Sequence, residues 1–243
     1  MSNTTIILGT VLVVLIIYML FQSYFDGEQK LLNQSYLRDA NNIIVGNISK
    51  PNASNFSYGI WIYVEQWQAP APNNEVETRI FTRQDELGLY LDNDATLKLR
   101  VADTGNKNVK TGISTDYSTI ILTNNFPIQK WVHVGLVIDG NKFDGYIDGK
   151  MVKSVGLKGT GITPIAPAGT AAYAIEFGKG NKMADSLMVA EHKRLTYPMD
   201  PQGIWDLYME GNGANGLTQA ASDLNINLSI LKDGVESSSF SLW

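Results

Sequence analysis

Cysteine is absent from the 243 residues, which excludes disulfides, thiolate metal centres and cysteine nucleophiles together. The redox compartment stays open, because a missing thiol is tolerated anywhere. Histidine is nearly absent: His133 and His192 are the only two. Both fall inside strand-like runs, and two such residues without cysteine assemble neither a zinc site nor a catalytic triad. Basic blocks are missing too. Nineteen Lys and Arg stand against 24 Asp and Glu, for a net charge of −5, so the counterion release that drives nucleic-acid binding has no source. Nucleic acid is not an expected partner. The most localised absence is at the N-terminus, where no charged side chain occurs from Met1 to Phe25.

What fills that uncharged stretch is bilayer material. Thr4 to Phe25 would make a helix of about 33 Å at roughly 1.5 Å per residue, against a hydrocarbon core of about 30 Å. Ile6, Leu8, Val11, Leu15, Tyr18 and Phe21 are its expected membrane-anchor residues, and Tyr18, Tyr24 and Phe25 gather where aromatic rings prefer the headgroup level. A cleaved signal peptide would instead carry a basic leader and a small-x-small site, and neither is present. The expectation is a single-pass membrane protein with the lipid bilayer as a partner. Lys30 and Arg38 follow the span and favour a cytoplasmic body under the positive-inside rule. Sequons at Asn33, Asn47, Asn52, Asn55 and Asn227 would matter only in a secretory lumen.

The rest of the chain reads as strands. Forty-four per cent of residues are hydrophobic and 18% charged, enough apolar material for one large core. Apolar residues alternate in short runs broken by Gly, Asn, Asp and Pro, as in 58–64, 87–91, 97–101 and 131–138. Asp139-Gly140 and Asp148-Gly149 stand between such runs, and Asp-Gly favours a hairpin turn because Gly accepts positive φ. Ile60, Ile62, Val132, Val134 and Leu136 are expected in the core. One short helix is predicted after Asp200, with Pro201 at its first position, an apolar face of Ile204, Leu207 and Tyr208, and Gly211 at its end.

The order of these runs carries a resemblance. Residues 55–63, the pair Trp131–Gly140 and Tyr146–Val152, the run Tyr173–Gly178 and the ending Leu195 to Gly211 resemble the laminin-G-like, concanavalin A-like lectin and glucanase superfamily. That resemblance implies an all-β jelly-roll sandwich of two antiparallel sheets with one short C-terminal helix, here behind one transmembrane helix. It does not imply one function, since such domains bind sugars, proteins or lipids, and some hydrolyse glucans. The arrangement of an N-terminal span and a laminin-G-like domain is similar to virion proteins of large icosahedral DNA viruses.

Chemistry is sparse. Glucanases of this superfamily carry Glu-x-Asp-x-Glu or a close variant on one strand, and no such run exists here. Glu75-Val76-Glu77 has alternate spacing but is expected in a solvated loop, and Asp92-Asn93-Asp94 reads as a turn lacking the rest of a calcium loop. No catalytic residue, metal or cofactor is expected. Trp61, Trp131 and Trp205 are expected in the core, whereas Trp67 is the loop tryptophan suited to a glycan contact. The expected division is a transmembrane anchor at 1–25, a juxtamembrane tether at 26–40, the sandwich at 41–216 and a hairpin extension at 217–243. Within the extension, Ile226, Leu228, Phe240 and Trp243 are candidate partner contacts. The expected function is a non-enzymatic, membrane-anchored structural or interaction protein beside neighbouring structural proteins, such as a minor capsid or inner-membrane component of a virion. The alternatives are a cell-surface glycan-binding lectin and a glycoside hydrolase.

Overall fold

A computed structural model describes residues 9, 11–18, 27–51, 53–67, 77–83, 87–102, 117–157, 174–178, 182–213, 227–232 and 235–241. Period-two alternation resolves into two stacked antiparallel sheets. The first is ordered β1 (Glu28–Leu32), β13 (Leu187–Leu195), β4 (Phe56–Val64), β9 (Trp131–Asp139), β10 (Lys142–Ile147) and β11 (Lys150–Gly156), with β2 (Ser35–Tyr36) also on β13. The second is ordered β3 (Ile43–Ile44), β12 (Ala174–Phe177), β5 (Glu77–Arg83), β6 (Leu87–Asp92), β7 (Leu97–Ala102) and β8 (Tyr117–Thr123).

The core lies between the sheets. Ile60 pairs with Val134 and Ile62 with Val132 across β4 and β9, and all four, with Leu136, have no exposed surface. Opposite them stand Phe81, Leu89, Leu99 and Ile175. Strand β4 is buried on nearly every residue rather than on alternate ones. The cause is the Pro201–Met209 helix, which covers the outer face of the seven-stranded sheet: Gly59 meets Leu207 there, and Gly135 meets Ile204. The helix forms as its sequence predicts. The Asp200 carboxylate accepts from the Gly203 N–H at 2.7 Å, Pro201 occupies the first turn, and Gly211 follows the end at φ 81°. Of the two hairpin signals, Asp148-Gly149 forms the turn as predicted, with both residues at positive φ, while the other turn centres one residue later on Gly140-Asn141.

One expected boundary is wrong. The expected tether was 26–40, and its described part, 27–40, belongs to the sandwich: β1 pairs along β13 from Glu28↔Leu195 to Leu32↔His192, β2 pairs farther along it, and Leu37 and Ala40 are buried in the core. The polar composition of the segment suggested a linker. A sheet-edge strand needs polar side chains on its outer face, so composition does not separate the two.

Strand β13 carries a bulge at Glu191, which sits at φ 45°, and the pairing with β4 skips from Ala190↔Trp61 to Lys193↔Gly59. An added residue reverses which side chains face inward. His192 therefore enters the core among Tyr58, Phe81 and Phe177.

Among the described residues, no helix is long and apolar enough to cross a membrane. Within the predicted anchor, 11–18 is helical, with Val11, Leu15 and Tyr18 exposed, whereas Ile6, Leu8 and Phe21 lie outside the described residues. The C-terminal hairpin is present as β14 (Asn227–Lys232) and β15 (Val235–Ser241), a two-stranded sheet in which Leu228 pairs with Phe240. Ile226 and Trp243 lie outside the described residues.

Candidate functional site

Antiparallel register lines up side chains from residues far apart in sequence. On the outer face of the seven-stranded sheet, Tyr36 pairs with Met188, Met188 with Tyr63, and Tyr63 with Trp131. All four are half-buried. Neighbouring strands lie about 4.8 Å apart, so the row spans roughly 14 Å. The Tyr63 and Trp131 rings are 5.3 Å apart at 43°.

Charged groups fix both ends of the row. At one end the Tyr36 hydroxyl donates to the Glu65 carboxylate at 2.9 Å, and the Arg38 guanidinium lies 4.8 Å from the Tyr36 ring centroid. The hydrogen bond to Glu65 raises the phenol's pKa, which keeps the hydroxyl a donor. At the other end Lys130 contacts Asp148 at 2.9 Å, and that carboxylate raises the ammonium's pKa. Asp148 also accepts from the His133 backbone N–H at 3.0 Å.

The next row inward is closed. Trp61 pairs with His133, and Tyr208 of the helix stacks on Trp61 at 5.6 Å and 23°. Burial lowers the His133 pKa to about 4 despite the opposing pull of Asp148, so its imidazole is neutral near pH 7. Two of the three tryptophans expected in the core depart from that expectation. Trp61 is buried, but Trp131 is half-buried in the outer row and Trp205 is 38% exposed, lying over Gly149 on the outer side of the helix. Both face away from the inter-sheet core, because their parity in strand and helix points outward. Trp67 is half-buried and packs against the core.

The carboxylates of the other sheet are engaged. Glu77 opens β5 rather than lying in a loop, and it accepts from Arg100 at 2.6 and 2.8 Å and from Lys98 at 2.8 Å. Lys98 also holds Asp92 at 2.7 Å. Burial opposes ionisation of Glu77, but the two cations outweigh it and hold its carboxyl below the usual range, the reverse of what a general acid needs. Sequence suggested a loop because the preceding residues are rich in Pro and Asn; the cross-strand partners that recruit Glu77 lie 21 and 23 residues away. Asp94 caps the 92–96 turn by accepting from the Thr96 N–H at 3.0 Å. Among the described residues no group of three His, Asp or Glu side chains is placed to hold a metal ion. The structure thus brings together Tyr36, Tyr63, Met188 and Trp131, of which sequence reading singled out Trp131 alone, and as a core residue. Their only signal there was aromatic residues at strand ends, out of phase with the core positions.

A family model described as the concanavalin A-like lectin/glucanases superfamily, of the laminin G type, matches residues 38–187. No curated protein matches the chain. Among solved structures, it is similar to the binding domain of botulinum neurotoxin serotype D at 14% identity, with a TM-score of 0.47 over 65% of this chain and 37% of that one. The receptor-binding domain of the botulinum neurotoxin C/D mosaic serotype gives 18% identity and a TM-score of 0.46 over 66% and 37%. This chain spans little more than a third of the length of those proteins, and likeness at that level says nothing of what it binds. Two stacked antiparallel sheets, the covering helix and the family match over 38–187 agree: the chain belongs to the concanavalin A-like lectin/glucanases superfamily.

Proposed function

We propose that this protein is a non-enzymatic binding module, held at a membrane by its N-terminal apolar run, that engages a neighbouring protein through the row Tyr36–Met188–Tyr63–Trp131. The observation that carries this reading is the alignment of four half-exposed side chains across four adjacent strands. Trp, Tyr and Arg dominate binding hot spots, because a rigid ring buries much area at small entropic cost. The row supplies two tyrosines and a tryptophan, with Arg38 at its rim. The uncharged Met1–Phe25 stretch supports the membrane location. Within this reading, a place in the inner membrane of a large DNA virus, facing the capsid, rests on the resemblance in domain arrangement alone.

A glycan is the second reading, favoured by the Tyr63–Trp131 ring pair, two half-buried aromatic rings at the end of the row that carries Lys130 and Asp148.

A photo-crosslinking residue at Tyr63 in native membranes separates the two. One defined protein adduct, lost with Trp131→Ala at unchanged thermal stability, is the expected result. A glycan-array signal lost with Trp131→Ala supports the second reading. Neither adduct nor array signal overturns the row as a binding surface.

A further inference from the structure

The sandwich has two ends, and the start of β1 identifies one of them. Gly27 is tied to the body: its carbonyl accepts from the Thr196 N–H at 2.8 Å, and a Cβ on it would lie 2.7 Å from the Tyr197 ring. β1 begins at Glu28, level with Leu195, Ser57 and Val137 across the sheet. The uncharged run ends at Phe25. Three residues span at most about 11 Å even when fully extended. Whatever path 26–27 takes, a helix ending in a bilayer at Phe25 leaves this end of the sandwich no room to stand off from the surface.

We infer that the end of the sandwich formed by Gly27, Tyr197, Asn55 and the Gly140-Asn141 turn rests on the lipid headgroups, and that the Tyr36–Trp131 row is held at the opposite end, facing away from the membrane. The inference rests on the anchor in the proposed function and fixes its geometry. Strand β9 sets the height. It runs from Asp139, beside the Gly140-Asn141 turn, to Trp131 in the row, and eight steps of about 3.3 Å make roughly 26 Å. The chemistry of the lower end suits a headgroup surface. Tyr197 is 43% exposed, and an exposed tyrosine has an apolar body and a polar tip matched to the interface. At this end Asn141 and Lys142, at the turn, and Lys50, whose carbonyl accepts from Arg194, are exposed, and the Asn55 side chain accepts from the Gly140 N–H at 2.9 Å, fastening the β4 start to the turn. The partner row thus stands a strand length above the bilayer, where a neighbouring protein reaches it without displacing lipid.

The lack of native cysteine permits a direct test on the full chain. Asn141→Cys and Lys150→Cys, at opposite ends of the β10–β11 hairpin and both exposed, each receive a fluorophore. The proteins are reconstituted into phosphatidylcholine vesicles whose two leaflets both contain a headgroup-nitroxide lipid, so the readout does not depend on which way the chain inserts. Flotation is measured on the same samples. The expected result is co-flotation, strong loss of fluorescence with N141C and no loss with K150C. Co-flotation with equal loss at both positions, or loss with K150C alone, overturns the orientation while leaving the anchor standing. Failure to float with the vesicles overturns the anchor and the orientation with it.

Discussion

Trp61 on β4 and Tyr208 on the helix stack with ring centroids 5.6 Å apart and planes inclined by 23°, which keys the helix to one register on the sheet. Leu207 and Ile204 supply apolar contact but little direction, since they settle over Gly59 and Gly135, where no side chain blocks sliding. An aromatic pair is geometrically demanding, and its coupling is worth about 0.5–1.5 kcal/mol beyond area burial. A double-mutant cycle with Trp61→Leu and Tyr208→Leu should return coupling in that range. A value near zero would show that Leu207 and Ile204 alone hold the helix.

Ile60→Ala and Leu136→Ala remove side chains with no exposed surface between the sheets. Each should lower unfolding free energy by about 2–5 kcal/mol in urea titrations, the spread reflecting how far the site collapses. Losses under about 1 kcal/mol at both would contradict the assigned strand faces.

The Glu77 cluster should matter more than the other ion pairs. Its three cross-strand contacts involve side chains less than a third exposed, whereas Lys142 is 54% exposed beside Asp144. Charged hydrogen bonds that are partly shielded contribute about 1.5–3 kcal/mol, and exposed pairs about 0–1. Glu77→Ala should therefore destabilise measurably and Lys142→Ala scarcely at all, when both are compared by thermal melts at two salt concentrations.

Two buried histidines give the protein a defined weakness in acid. Burial lowers the His192 pKa to about 3 and the His133 pKa to about 4. Neither His192 ring nitrogen has a hydrogen-bond partner among the described residues. Both folded values lie below the unfolded value near 6.5, so the unfolded chain takes up protons first as the pH falls. Their contribution is complete above about pH 6.5 and is lost progressively as the pH drops towards 4 and then 3. Between pH 6.5 and 5 the loss should be about 1.6 kcal/mol per histidine. Urea midpoints should fall across that interval, and His192→Phe, which keeps a ring among Tyr58, Phe81 and Phe177, should flatten the slope. An unchanged slope would place the titration elsewhere.

The sequence by itself determined what depends on neighbours along the chain. Alternation at 58–64 and 131–138 specified strands and their inward residues. Asp200, Pro201 and Gly211 specified a helix, since caps act over three or four residues, and Asp148-Gly149 specified a turn through positive φ. The absent cysteines and the missing charge before Asp26 are equally local properties. Only the tertiary structure decided what depends on register. Tyr36, Tyr63, Trp131 and Met188 are scattered over more than 150 positions, and they form a row because β2, β13, β4 and β9 happen to pair at those residues. The bulge at Glu191 reverses the facing of every later residue in β13, and it alone puts His192 in the core. Residues 26–40 read as a linker, and only the edge of β13 makes strands of 28–32 and 35–36. A strand's alternation states that it has two faces, but which strand lies beside it, and at which step, is fixed only when the whole sheet assembles.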